Sequence, residues 1–129
     1  MFSKESIDQC GLIVIVRIDS ENWIKTSVEF ENPRHSSLGS VVTNFGYWDW
    51  ATIDIRSEIH SLWHRIQSRG NDFLLEYSEN RIEWNQLRIA HLHATEKSLQ
   101  VGIYACSPMD RSFECIFDRF SLDVSEWMV

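Results

Sequence analysis

The chain has 129 residues, the length of one ordinary domain. Its 19 acidic against 12 basic residues leave a formal net charge of −7, the wrong sign for a protein whose main partner is a nucleic-acid backbone. With 43% hydrophobic and 24% charged residues, the composition is that of a soluble globular protein and excludes a disordered or fibrous chain. The opening Met1-Phe2-Ser3-Lys4-Glu5-Ser6-Ile7-Asp8 carries acids where a secretory signal needs a basic end and then an apolar run. The longest apolar run, Leu12 to Val16, is far short of the roughly 20 residues of a membrane-spanning helix. A cytoplasmic protein without membrane contact is expected. Cys10, Cys106 and Cys115 are three in number and lack CxxC spacing, so they read as buried free thiols rather than disulfides or zinc ligands.

In chain order, Gly11 to Asp19 is rich in Ile and Val. Trp23 to Glu31 alternates, with Trp23, Lys25, Ser27 and Glu29 on one side and Ile24, Thr26, Val28 and Phe30 on the other. The turn formers Asp19-Ser20-Glu21-Asn22 between them predict an antiparallel hairpin. Pro33 ends the second strand, since proline donates no ladder hydrogen bond. Strands are also predicted at Leu38 to Phe45, Phe73 to Tyr77, Glu83 to His91, Leu99 to Cys106 and Phe113 to Leu122, with polar turns between them. Ile55, Ile59, Leu62, Trp63 and Ile66 recur at helical spacing, yet Trp63, Arg65, Gln67 and Arg69 also alternate. A strand from Ser61 to Arg69 is the preferred reading. Short strands at this spacing predict an all-β fold, an antiparallel β-sandwich, in one domain over residues 1–129.

Several runs together carry a resemblance: Asp8-Gln9-Cys10-Gly11-Leu12-Ile13-Val14, Glu21-Asn22-Trp23-Ile24-Lys25-Thr26, Gly46-Tyr47-Trp48-Asp49-Trp50 and Val101 through Pro108. With them the chain resembles the "regulation of enolase" family over about Ile7 to Asp123. The resemblance implies a concanavalin A-like sandwich, or jelly roll, of largely unknown function. It also implies some tens of residues before this point in relatives, so a sandwich lacking the usual N-terminal strands is expected. A homodimer is one way to cover the strand edges this leaves.

Concanavalin A-like sandwiches commonly use one sheet face as a carbohydrate groove, which directs attention to polar and aromatic groups that share a face. Arg17 belongs with Ile13 and Ile15, and Lys25 with Ser27 and Glu29, so opposite charges would meet in one groove and bind sugar hydroxyls. Tyr47, Trp48 and Trp50 offer flat apolar faces for stacking on a sugar ring, with Asn44 and Asp49 as hydroxyl partners. Trp23, Trp63 and Trp84 read as core residues. The expected ligand groove is therefore Arg17, Lys25, Glu29, Asn44, Tyr47, Trp48, Asp49 and Trp50.

No catalytic set is assigned. Glu29 and Glu31 share a side of one strand, but Ser27 stands where a third acid would complete a glucanase-like motif. His60 with His64, and His91 with His93, have ligand-like spacing without the accompanying glutamate or cysteine, so no metal is expected. GxSxG, GxxxxGK and GxGxxG are absent, and no cofactor is implied. The sequence favours a non-catalytic carbohydrate-binding module or a regulatory module of carbohydrate metabolism, then a protein-interaction or regulatory domain, then a weak glycosidase acting through Glu29.

Overall fold

The computed structural model describes residues 9–16, 20–30, 34–56, 61–93, 99–106, 117 and 120–127. Among them the chain forms eight strands and no helix. These are β1 (Gln9–Val16), β2 (Trp23–Phe30), β3 (His35–Asn44), β4 (Tyr47–Arg56), β5 (Trp63–Arg69), β6 (Asp72–Ser78), β7 (Asn85–His91) and β8 (Leu99–Cys106). All pairings are antiparallel, in a five-stranded sheet of order β4-β3-β2-β1-β8 and a three-stranded sheet of order β5-β6-β7. The sheets pack face to face. Ile24 and Val42 of the larger sheet meet Phe73, Leu75, Ala90 and Leu92 of the smaller across the core. This is the all-β sandwich that the strand spacing predicts. No helix among the described residues is long and apolar enough to cross a membrane.

Local chemistry sets the turns. Phe45 and Gly46, with φ of 51° and 83°, form the two-residue turn between β3 and β4, a conformation matched to strand twist but unusual for phenylalanine. The strain is held from outside the hairpin, because Asn22 Oδ1 accepts from the Phe45 N–H at 2.9 Å and the Glu21 carbonyl accepts from the Gly46 N–H at 2.9 Å. Gly70, at φ 59°, starts the tight turn that joins β5 to β6.

The helical period across 55–66 is overridden by what the strand register gains. In β5, Ile66 packs on the core, while Arg65 and Gln67 face outward and both bond Glu76 of β6. In the predicted strand 113–122, residues 117 and 120–122 are not in a strand, and the others lie outside the described residues. Glu126 and Trp127 instead lie against the outer face of the smaller sheet. There the Glu126 N–H donates to Gln67 Oε1 at 3.0 Å and Arg69 stacks on the Trp127 ring at 4.2 Å.

His64, opposite Tyr77 on the inner face of the smaller sheet, buries Nδ1 without a hydrogen-bond partner. Burial lowers its pKa from 6.5 to about 4. The unfolded chain therefore binds a proton between these values that the folded chain refuses. Stability is complete above pH 6.5 and falls as pH drops toward 4, by up to about 3 kcal/mol. Urea unfolding at pH 7 and pH 4.5 should show this loss, and His64→Leu should shrink the difference between the two.

Candidate functional site

The strand register lays out the outer face of the larger sheet as a grid. Read across β2, β3 and β4, its rows are Trp23–Thr43–Trp48, Lys25–Val41–Trp50, Ser27–Gly39–Thr52 and Glu29–Ser37–Asp54. Side chains in one row share a face because direct cross-strand partners always do. The third row contains only small side chains, so the surface dips there. The result is a groove of about 360 Å³ lined on β2, β3 and β4, within the size range of small-molecule sites.

Gly39 keeps the floor low. A β-carbon at this position would stand 3.4 Å from Thr52 Cγ2 and 3.9 Å from Trp50 Nε1, filling the middle of the dip. Trp48 and Trp50, two apart on the edge strand β4, form an aromatic wall and are 74% and 65% exposed. Glu29 and Ser37 line the opposite side. On the floor, Ser27 is only 7% exposed. At the inner end the Lys25 ammonium sits between two rings, 5.6 Å from the centre of Trp23 and 5.5 Å from that of Tyr104.

Of the expected site residues, Lys25, Glu29, Trp48 and Trp50 come together in this groove. Arg17 lies outside the described residues. Tyr47, Asn44 and Asp49 do not join the groove. Asn44 and Tyr47 are direct partners on the face opposite the Thr43–Trp48 pair, and Asp49 alternates with Trp48 and Trp50. Asn44 and Asp49 tie the sheets together instead. Asn44 donates to the His91 carbonyl at 2.9 Å and accepts from the His93 N–H at 2.8 Å, and Asp49 pairs with Arg88 at 3.1 Å. Tyr47 is exposed.

Trp23 lines the groove instead of filling the core, and Trp63 and Trp84 stack under Arg81 and Arg65 at 5.1 and 4.0 Å. Ser37, Gly39, Val41 and Thr52 are groove residues not picked out by sequence reasoning. Their signal was cross-strand register, which alternation within one strand does not supply. His91 and His93 do meet, with ring centres 4.8 Å apart and His91 Nδ1 2.7 Å from Asp72 Oδ1. No group of three or more metal-ligating side chains forms around them or elsewhere among the described residues.

Residues 1–124 match a family described as "Protein of unknown function (DUF1349)". The chain belongs to the DUF1349 family. Among solved structures it is similar to a functionally unknown protein from Saccharomyces cerevisiae, with 30% sequence identity and a TM-score of 0.70. That match covers 81% of this chain and 54% of the yeast chain, so this DUF1349 protein spans about half the length of its structural relative. No curated protein matches the sequence.

Proposed function

We propose that this DUF1349 protein is a non-catalytic carbohydrate-binding module of the concanavalin A-like type, with the groove over Gly39 as its site. The observation that carries the reading is the pairing of a two-tryptophan wall with the small-residue floor Ser27–Gly39–Thr52. A pyranose has an apolar face to lie on Trp48 or Trp50 and hydroxyls along its edge to reach Ser27 and Glu29. Both tryptophans are exposed, so replacing them removes the wall without opening the core. In titrations of a mono- and oligosaccharide panel, Trp48→Ala and Trp50→Ala should each weaken the binding of the responding sugar class tenfold or more. Unchanged affinity in both variants would end this reading.

A second reading is a protein-interaction or regulatory domain. It is favoured by the exposure of Tyr47, Trp48 and Trp50 along β4, an edge strand of the larger sheet. The regulatory role implied by the resemblance to the regulation of enolase family belongs here, as does a homodimer. A solution mass that rises above 15.2 kDa with concentration supports a homodimer, and sugar silence from folded protein supports this reading over the first. Glycoside hydrolysis has less behind it. Asp54, the carboxylate that shares Glu29's row, is two strands away, about 10 Å between backbones.

A further inference from the structure

We infer that the groove reads the end of a glycan chain, seating a terminal disaccharide-sized unit, and does not grip the middle of a long chain. This rests on the carbohydrate reading of the same groove and adds a substrate class to it. The two ends of the groove differ.

The described side chains that line the groove come from β2, β3 and β4 alone. Two inter-strand steps give it a length of about 10 Å, enough for two hexose rings. At the β4 end no described side chain closes it, since β4 is the edge of the sheet among the described residues and Trp50 and Thr52 stand exposed there. At the other end Lys25 crosses its mouth, held over Trp23 on its own strand and over Tyr104, which lies in β8 beyond β1. Two ring contacts on one ammonium make this a fixed stop. The sheet does not end there. The groove's own row continues from Ser27 across Gly11 to Tyr104, so the ring that holds the ammonium stands in line with the floor. A through-going chain would have to pass Lys25 and then Tyr104 to leave on the β8 side.

The test uses linear glucans, xylans, chitin and galactans as dimers, hexamers and polymers of 20 or more units, titrated calorimetrically into the whole chain. End recognition is expected to give dimer and hexamer affinities within about threefold, and no more than two proteins per polymer chain. In the double variant Lys25→Ala with Tyr104→Ala the stop is gone, and the hexamer should gain at least threefold over the dimer relative to wild type. An affinity that climbs tenfold from dimer to hexamer in the wild type, or polymers that load many proteins per chain, would overturn the inference and leave the carbohydrate reading standing. If none of the sugars binds folded wild-type protein, both fall.

Discussion

Arg65→Met is expected to lower the unfolding free energy by about 2–3 kcal/mol, below the roughly 3–5 kcal/mol for stripping one partner from a fully buried ion pair because the Arg65 side chain is 33% exposed. The Glu76 side chain is 11% exposed and accepts from Arg65 Nε at 2.8 Å and from Arg65 Nη2 at 3.1 Å. Gln67 Nε2 adds a third hydrogen bond at 2.8 Å. Methionine keeps the aliphatic bulk beside Trp84 but leaves the carboxylate with Gln67 alone among these three bonds. A second change, Glu76→Leu, removes the stranded charge, so the double variant should recover most of the loss. Chemical denaturation of the two single variants and the double variant measures this coupling directly. Equal losses that simply add would show that the pair is not a unit.

Gly39→Leu should abolish saccharide binding while leaving the fold intact. The glycine has no positive φ, so a side chain there meets no backbone penalty. What it meets is the groove itself, where the first added carbon already contacts Thr52 and comes within 3.9 Å of Trp50. Leucine would occupy the space above Ser27 that the ligand needs. Affinity for the responding sugar is expected to fall at least a hundredfold, or about 2.7 kcal/mol, with alanine intermediate. Melting temperatures within a few degrees of wild type would show that the loss is local. Full binding by Gly39→Leu would place the ligand elsewhere.

The fold was largely legible because period-two alternation is a local property. Trp23 through Phe30 displays it without interruption, and the structure pairs that strand on both sides as the pattern demands. Strand β4 was missed as a full element. Its inward positions are not all apolar: Asp49 sits where a core residue would make the alternation plain. The same acid explains why the site was only partly legible. Tyr47, Trp48, Asp49 and Trp50 are adjacent in sequence and look like one aromatic and acidic patch, yet a strand sends neighbours to opposite faces. Trp48 and Trp50 reach the groove, while Asp49 reaches back to Arg88. Applying alternation there would have split the cluster. No local signal would have found Gly39, because its place between Ser27 and Thr52 depends on the register of three strands at once. Lys25 as a stop depends on five.

The groove as a saccharide site is tested most directly by backbone amide NMR of the wild-type chain during titration with the sugar panel. The expected result is a saturable set of shifts centred on Ser27, Gly39 and Thr52, with the indole signals of Trp48 and Trp50 moving at the same ligand concentration. Shifts confined to other faces, or a spectrum of folded protein that no sugar changes, would contradict it.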